Sequence, residues 1–251
     1  MPPAPVPGAW QLTLLQDTGG YRFSLDAFLL ADFVLPAAAG PLLDLGTGCG
    51  VIALLLARRF PHRHIVGVEL QETLATLARH NVVHNGLAAQ VEVVRADVRC
   101  ARHLFVAGAF GTVVCNPPYR TAGSGRLNPN PAKAMARHEL TLTLEQLLQA
   151  CQHVLTRRGL LALVYHPSRL AELCVRLTAA RLCPRRLRLV HSTPQAPASL
   201  ALLEAVQGGK EALTVLPPLY VYAGRGCYTA EMQAIFQGRA LPASSGGQHA
   251  Q

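Results

Sequence analysis

The sequence predicts an α/β fold: a seven-stranded, mostly parallel sheet with helices on both faces and an antiparallel hairpin at the C-terminal end. Two observations predict this class. Short apolar runs of strand length alternate with longer segments of helical periodicity. The last two strand-like runs have no helix between them, so they should pair antiparallel. The length of 251 residues suits one large domain.

The first half of the core should contain four strands and two helices. Each predicted strand is a short apolar run bounded by glycine, proline or polar residues. Pro61 should stop the first helix, and the pair Asn85-Gly86 should cap the second. In chain order we predict strand 41–47, helix 51–60, strand 64–70, helix 73–86, strand 90–97 and strand 110–116.

A polar loop from residue 120 to about residue 139 precedes the second half of the core. The first helix after this loop should end in a turn formed by the residues TRRG, and a Pro-rich turn should join the last two strands. In chain order we predict helix 141–155, strand 159–166, helix 167–180, strand 185–191 and strand 198–207.

The ends of the chain differ in composition from the core. Residues 1–8 are rich in proline and residues 239–251 are small and polar, so both should be disordered tails. Residues 9–40 form a segment ahead of the main domain, which covers 41–238. We expect a cytoplasmic protein without a membrane segment, because no apolar stretch approaches bilayer length and the N-terminus lacks the features of a secretory signal.

Charge and cysteine content limit the classes of partner. The formal net charge of +9 favours a polyanion such as nucleic acid, because neutralising phosphates releases counterions. None of the seven cysteines forms a CxxC pair, so the sequence indicates neither a metal site nor a redox pair. Cys49, Cys115, Cys151 and Cys174 lie in apolar patterns and should be buried, reduced thiols.

A glycine-rich turn joins the first strand to the first helix in the sequence DLGTGCG. Gly46, Gly48 and Gly50 let the backbone turn tightly and approach a ligand closely, and Asp44 ends the strand. The helix behind the turn offers free N–H groups and the positive end of its dipole. The pattern is GxGxG rather than the dinucleotide pattern GxGxxG, which suits a ligand with an amino-acid moiety in place of a pyrophosphate.

Acidic residues end the next two predicted strands. Glu69 lies about 20 residues after the turn, where a dinucleotide-binding fold places the acid that binds ribose hydroxyls. Asp97 ends the third strand at the same edge of the sheet and could accept a hydrogen bond from an adenine amino group.

Together these features resemble the Rossmann-like class I S-adenosylmethionine-dependent methyltransferases. The resemblance implies S-adenosylmethionine as the cofactor. It implies the following cofactor-binding residues in the core: Asp44, Gly46, Thr47, Gly48, Gly50, Glu69, Leu70, Asp97, Val98 and Asn116.

The fourth strand ends in the sequence NPPY. The two prolines fix the backbone and donate no hydrogen bonds, and the residue before a proline is extended. The side-chain oxygen of Asn116 and the carbonyl of Pro117 can therefore converge on one point, which favours an –NH₂ group, and Tyr119 provides a flat face beside it. At the carboxyl edge of an α/β sheet such a corner is expected to bind a ligand.

This corner resembles the [DNS]PP[YFW] motif of methyltransferases that act on planar nitrogens. The resemblance implies that Asn116, Pro117 and Tyr119 are the catalytic residues, with the target base flipped onto Tyr119. Two acceptors would draw the amine toward tetrahedral geometry and localise its lone pair, so that positioning and electrostatics supply the catalysis.

Three planar nitrogens fit the motif: adenine N6 in RNA, the side-chain amide of a protein glutamine, and guanine N2 in ribosomal RNA. Glutamine methyltransferases of release factors carry a helical domain ahead of the glycine turn, but only about 40 residues precede Asp44 here. DNA adenine methyltransferases need an inserted recognition domain, and none is visible. A binding protein that has lost catalysis is the alternative outside the enzymes.

Beyond the core motifs, the chain resembles the bacterial tRNA1(Val) (adenine37-N6)-methyltransferase group. The similarity lies in residues 21–33, 116–140, 185–194 and 215–238. It implies N6-methylation of an adenine in tRNA, at position 37 beside the anticodon, by a monomer or homodimer. The loop after NPPY is longer here than in the best-characterised branch of the group.

Further candidate residues flank the core. The resemblance implies a lid over the methionine end of the cofactor, formed by Arg22, Phe23 and Asp26; an ordinary amphipathic helix over 25–33 is the alternative. Two basic clusters are candidates for binding RNA phosphates. On a strand the residues at 186 and 188 share one face, and Arg185 takes the other. The candidates are Arg120, Arg126, Lys133 and Arg137 in the loop, and Arg186 and Arg188 on the strand.

Overall fold

The structure, a computed structural model, describes residues 4–5, 10–15, 25–35, 40–117 and 142–238. Several predicted features lie outside these residues: the C-terminal tail, Arg22, Phe23, Tyr119 and the four basic residues of the loop. Within the predicted tail 1–8, Ala4 and Pro5 differ from the prediction, because they pair antiparallel with Thr13 and Leu14.

The centre of the fold is a nine-stranded sheet, in which all seven predicted strands take part. The two additional strands have two residues each and pair parallel with one edge strand. The strands among the described residues are β1 (Ala4–Pro5), β2 (Thr13–Leu14), β3 (Leu42–Leu45), β4 (Ile65–Glu69), β5 (Val91–Arg95), β6 (Phe110–Cys115), β7 (Leu155–Tyr165), β8 (Leu182–His191), β9 (Ala198–Gln207), β10 (Thr214–Val215), β11 (Leu219–Tyr220), β12 (Tyr222–Gly224) and β13 (Cys227–Tyr228).

The order of strands in the sheet is β10-β8-β9-β7-β6-β3-β4-β5, and β11 also pairs with β8. Strand β9 runs antiparallel to both of its neighbours, and the other pairs are parallel. The predicted antiparallel hairpin is therefore confirmed, with its second strand inside the sheet. The apolar strand β9 lies between β7 and β8. The arginine-rich β8 lies nearer the end of the sheet, where only the short strands β10 and β11 pair with its other side.

The helices connect these strands on both faces of the sheet. The predicted TRRG turn is present as an irregularity inside β7. The ladder with β6 pairs Leu155 with Phe110 and Leu160 with Thr112, so that residues 156–159 lie opposite a single residue, and Arg158 has a φ angle of 67°. The helices are α1 (Leu25–Phe33), α2 (Val51–Arg59), α3 (Glu72–His84), α4 (Ala101–Leu104), α5 (Leu144–Val154), α6 (Leu170–Ala179) and α7 (Ala230–Phe236), with 3-10 turns at Val98–Cys100 and Pro167–Arg169.

Two hydrophobic cores lie on opposite faces of the sheet. Helices α1, α2, α3 and α7 pack on one face, and α4, α5 and α6 pack on the other. Successive residues of β3 alternate between them, so that Leu42 enters the first core and Leu43 the second. Both faces of the sheet are thereby covered, as the alternation of strands and helices predicts.

Helix α1 differs from the amphipathic helix considered as an alternative, because it is buried on nearly every side. Only Leu25, Asp26 and Asp32 are partly exposed, and the other six residues are buried. The helix packs against α2, β7, β9 and α7. It is therefore a core element, which begins shortly after Arg22 and Phe23 of the predicted lid and includes the third lid residue, Asp26.

The cysteines are free thiols. Cys49, Cys115 and Cys151 are buried as predicted, whereas Cys174 is partly exposed. Among the described residues there is no group of three His, Cys, Asp or Glu side chains placed to bind a metal ion. The same part of the chain contains no helix with the length and apolarity needed to cross a bilayer.

Candidate active site

The candidate site lies at the carboxyl edge of the parallel strands. Leu45 at the end of β3 pairs with Val68 of β4 on one side and with Cys115 at the end of β6 on the other. The glycine turn that follows Leu45 is therefore flanked by Glu69 and by Asn116.

The next strand extends this row. Glu69, the last residue of β4, pairs with Arg95 at the end of β5, and Asp97 follows two residues later. The edge thus presents Asp97, Glu69, the glycine turn and Asn116 on four neighbouring strands. The sequence predicted each of these features separately, and the order of strands brings them together.

The glycine turn is tight and leaves open space above it. The N–H groups of Gly46 and Thr47 both donate to the carbonyl of Val68, at 2.9 and 3.0 Å. Gly46 and Gly48 have φ angles of 75° and 58°, and a Cβ atom on either would meet nothing within 4 Å. That space can be filled by a ligand lying against the backbone.

Gly50 supports the turn from behind. Its φ angle is 88°, and a Cβ atom there would approach the Cβ of Ala78 in α3 to 3.3 Å. Gly50 also precedes the first residue of α2 and provides no side-chain cap. The positive end of the α2 dipole therefore lies directly behind the turn, where it favours a ligand with a carboxylate.

Asp44 and Thr47 hold the turn from the inside. Asp44 is completely buried in β3, and the hydroxyl of Thr47 donates to its Oδ2 at 2.6 Å. Burial raises the pKa of Asp44 to about 7, against the opposing effect of the Thr47 hydroxyl. Within the described part of the chain, Oδ1 of Asp44 is buried without a hydrogen-bond partner. A hydrogen bond from the backbone of Ala53 at the start of α2 also opposes the rise of the pKa, so the carboxyl group is a buried support of the turn.

Glu69 joins the turn to the next strand. Its Oε2 accepts from the N–H of Gly48 at 3.0 Å, and its Oε1 accepts from the N–H of Gln71 at 2.8 Å. The side chain is largely buried, and Leu70 next to it is partly exposed. A carboxylate oxygen accepts more than one hydrogen bond, so Glu69 can also accept from the hydroxyls of a ribose.

Asp97 is held by a residue that the motif analysis did not consider. Its Oδ1 accepts from the N–H of Arg99, and its Oδ2 accepts from the Arg99 guanidinium at 2.8 and 2.6 Å. The hydrogen bonds from Arg99 lower the pKa of Asp97. Arg99 therefore keeps Asp97 ionised and fixes its orientation, while Val98 is buried in the 3-10 turn.

Asn116 and Pro117 follow β6 directly and are partly buried beside the glycine turn. The Sγ of the preceding residue, Cys115, donates to the carbonyl of Leu45 at 3.2 Å. This bond ties the strand end before Asn116 to the strand end before the turn. The structure thus places the predicted amine-binding corner next to the predicted cofactor site.

Asn81 is a residue of this region that sequence reasoning missed. It is completely buried in α3, and its Nδ2 donates to the carbonyls of Cys49, at 2.9 Å, and Leu15, at 3.1 Å. Its Oδ1 accepts from the N–H of Leu15 at 2.7 Å. Asn81 therefore connects the glycine turn to the segment that leads toward the predicted lid. An asparagine among the apolar positions of a predicted helix was the available signal.

The predicted lid is described only in part. Asp26 lies in the first turn of α1 and is partly exposed. Its role in the lid stays a prediction, as do the roles of the two residues outside the described ranges.

The basic cluster on β8 differs from the prediction of an RNA contact. Arg186 and Arg188 do share one face, but the guanidinium of Arg186 lies 3.2 Å from Glu204 and 4.5 Å from the ring centroid of Phe33. Arg188 pairs with Glu231 at 2.6 Å. Both side chains are mostly buried, so they hold the fold together rather than face an RNA.

The order and directions of the strands define the class I methyltransferase fold. The residues present fit S-adenosylmethionine, since an open glycine turn and the acceptors Glu69 and Asp97 lie at one edge.

Comparisons with known proteins agree with this class. The methyltransferase small domain family model matches residues 25–173. The tRNA1(Val) (adenine(37)-N6)-methyltransferase of Porphyromonas gingivalis is 34% identical over 179 residues, which are 69% of each chain. The enzyme of that name from Photobacterium profundum is 28% identical over 218 residues, covering 86% of this chain and 90% of the relative.

Among solved structures, that of a predicted O-methyltransferase from Agrobacterium tumefaciens has a TM-score of 0.70. It is 24% identical, and the match covers 88% of this chain and 99% of that one, which confirms the fold. The chain belongs to the methyltransferase small domain family, in the group of bacterial tRNA1(Val) (adenine(37)-N6)-methyltransferases.

Proposed function

We propose that the protein transfers a methyl group from S-adenosylmethionine to N6 of adenine 37 in tRNA. The observation that carries this proposal is the adjacency of Asn116 and the glycine turn, which follow paired residues of β6 and β3. The names of the relatives support the substrate: they are tRNA1(Val) (adenine(37)-N6)-methyltransferases. A tRNA substrate also implies a cytoplasmic enzyme.

The half of the edge formed by β3, β4 and β5 would hold the cofactor. The turn Gly46–Gly50 and the start of α2 would bind the amino-acid end, with Asp44 and Thr47 fixing the turn. Glu69 would accept from the ribose hydroxyls. When bound, S-adenosylmethionine supplies an electrophilic methyl group on a sulfonium ion.

The other end of the cofactor would lie over β5. Asp97 would accept from the amino group of the adenine moiety, because Arg99 keeps its carboxylate ionised. Leu70 and Val98 would line the walls beside it. Arg22, Phe23 and Asp26 would close over the methionine end.

The corner after β6 would hold the acceptor. The side-chain oxygen of Asn116 and the carbonyl of Pro117 would accept from the two hydrogens of the adenine amine, and Tyr119 would stack on the base. Two acceptors localise the nitrogen lone pair, which is otherwise delocalised into the ring, and they aim it at the methyl group. The base must leave its stack to reach this corner, which a single-stranded loop permits at low cost.

The loop after the corner would bind the RNA backbone. Its basic residues, Arg120, Arg126, Lys133 and Arg137, follow the NPPY corner directly in the chain, and four cations near a flipped base would contact the flanking phosphates. The net charge of +9 would assist the encounter with tRNA at low salt.

The test is to incubate the protein with methyl-labelled S-adenosylmethionine and an unmodified tRNA1(Val) transcript, and to identify the product by nucleoside mass spectrometry. We expect N6-methyladenosine, and we expect its loss in a transcript in which adenine 37 is replaced by guanine. Val175→Ala, an exposed change on α6, should methylate like the wild type and serves as the control.

Other outcomes would contradict the proposal. If the product were N2-methylguanosine in ribosomal RNA or N5-methylglutamine in a protein, the protein would still be a methyltransferase, but its substrate would not be tRNA adenine. Cofactor binding without transfer to any of these acceptors would show a catalytically inactive relative.

A further inference from the structure

The C-terminal segment forms a small hairpin at the same edge of the sheet as the candidate site. Strand β8 ends at His191, and β11 pairs with its last two residues. The N–H of Tyr222 then donates to the carbonyl of Ser192 at 2.9 Å, which fixes the start of the hairpin β12–β13 beyond the end of β8. We call the residues Tyr222–Tyr228 the aromatic hairpin.

The aromatic hairpin lies on the side of Asn116 that faces away from the cofactor residues. From β6 the sheet continues through β7, β9 and β8 to β11, which is four strand spacings or roughly 19 Å. If one base of an RNA strand binds at Asn116, nucleotides on one side of that base can span this distance and contact the hairpin. The cofactor residues on β3, β4 and β5 lie in the opposite direction.

A tyrosine on this hairpin is held rigidly at the surface. The ring of Tyr228 stacks on Tyr222, with centroids 5.2 Å apart and an angle of 18°, and contacts Phe236 edge to face at 4.9 Å. Phe236 in turn contacts Phe28 of the core at 5.3 Å. Tyr228 nevertheless keeps 39% of its surface exposed. A flat ring supported from below and open to solvent is a preorganised stacking platform.

An exposed cation lies at the tip of the same hairpin. Arg225 stands between Gly224 and Gly226, and all three are exposed. None of the ion pairs in the described part of the chain includes Arg225, in contrast to Arg186 and Arg188. Its guanidinium is therefore available to bind a phosphate in bidentate fashion.

We propose that the aromatic hairpin binds a nucleotide that flanks the target adenine, with the base stacked on Tyr228 and its phosphate bound by Arg225. The inference rests on the proposed function, since it assumes that an RNA strand enters at Asn116. RNA fits better than a protein partner, because the surface combines one exposed aromatic ring with an exposed cation that belongs to no ion pair of the described chain. Among the exposed large hydrophobic residues of the described chain, Tyr228 is the single aromatic one.

The test measures binding of the full-length protein to an unmodified tRNA1(Val) transcript, together with KM and kcat for methylation. We expect Tyr228→Ala to weaken binding and raise KM about 10-fold, with kcat and cofactor affinity unchanged. Tyr228→Phe keeps the ring and should bind within about twofold of the wild type.

Arg225→Ala should also weaken binding and should reduce the slope of log affinity against log salt by about one. The matched control is Arg157→Ala, an exposed arginine at the start of β7 on the opposite edge of the sheet, which should bind like the wild type. Because Arg225 lies at an exposed tip, its replacement tests the inference even if Tyr228→Ala lowers stability.

The possible failures are distinguishable. A wild-type protein that neither binds nor methylates tRNA refutes the proposed function, and the inference with it. A wild-type protein that methylates tRNA, with Tyr228→Ala and Arg225→Ala variants that match it, refutes the inference alone. If the variants bound tRNA like the wild type but sedimented differently, the hairpin would contact a second copy of the chain and the inference would be refuted.

Discussion

The two halves of the carboxyl edge differ in how they are built. On β3, β4 and β5 the polar groups hold one another: Glu69 accepts from the turn, Thr47 donates to Asp44, and Arg99 fixes Asp97. On the side of β6 and beyond, two side chains near the edge, Tyr228 and Arg225, are exposed to solvent. The first half suits a small ligand of fixed shape, and the second suits a large, flexible one.

This difference implies that the two halves can be changed independently. A substitution in the cofactor half should alter the affinity for the cofactor, because it disturbs a network of hydrogen bonds around the turn. A substitution in the acceptor half should alter methyl transfer or RNA binding and leave the cofactor affinity intact. Asn116→Ala and Glu69→Ala test that separation, and Arg186→Ala and Asp44→Asn test the buried polar groups that support each half.

The largest effect is expected for Asn116→Ala. Losing one of two acceptors for the amine should lower the rate of transfer about 100-fold or more, with the Kd for S-adenosylmethionine changed by less than about threefold. Asn116→Asp keeps an oxygen acceptor and should retain more activity than the alanine variant. Single-turnover kinetics and calorimetry measure the two quantities, and an equal loss of cofactor binding would contradict the separation.

Arg186→Ala should mainly lower stability. It leaves Glu204, which is 1% exposed, without its nearest cation, so we expect a loss of about 3 kcal/mol in the free energy of unfolding. Arg185→Ala is the control, because that side chain is 40% exposed and should cost less than about 1 kcal/mol. Urea denaturation measures both. Unchanged stability with weakened tRNA binding would restore Arg186 as an RNA contact.

Glu69→Ala should weaken cofactor binding roughly 30-fold, because it removes a charged acceptor from the turn as well as from the ribose. The matched control is Glu92→Ala, an exposed glutamate on the neighbouring strand β5, which should bind within about twofold of the wild type. Titration calorimetry with S-adenosylmethionine distinguishes the two variants. Equal affinities would remove Glu69 from the cofactor site.

Asp44→Asn should change how stability depends on pH. Because the pKa of Asp44 rises from 3.8 to about 7 on folding, the folded state holds the proton more tightly, and stability falls as pH rises through that window. The free energy of unfolding of the wild type, minus that of the variant, should therefore decrease by roughly 1 kcal/mol per pH unit between about pH 5 and pH 7. Above about pH 7 this difference should become constant. Urea denaturation across this range checks it. A constant difference would show that Asp44 does not titrate in the folded protein.

The sequence predicted the strands and the site motifs well, because those features are local. Each of the seven strands is a short run with its own boundary residues. Gly46 and Asn116 each follow a strand directly, and Glu69 is the last residue of one. It failed where the surroundings of a side chain depend on how distant elements pack. Cys174 lies in an apolar pattern, for example, but its side chain is partly exposed in the folded protein.

What the sequence by itself determined is the chemistry available at each strand end: a glycine turn, two acids and an NPPY corner. Only the tertiary structure decided which polar groups satisfy one another. Arg186 and Arg188 alternate on a strand like surface residues, yet their partners Glu204 and Glu231 lie 18 and 43 residues away in the chain. Asn81 likewise reaches Cys49 and Leu15, across 32 and 66 residues. Such pairs form because burial makes an unsatisfied polar group costly, and burial is a property of the packed chain.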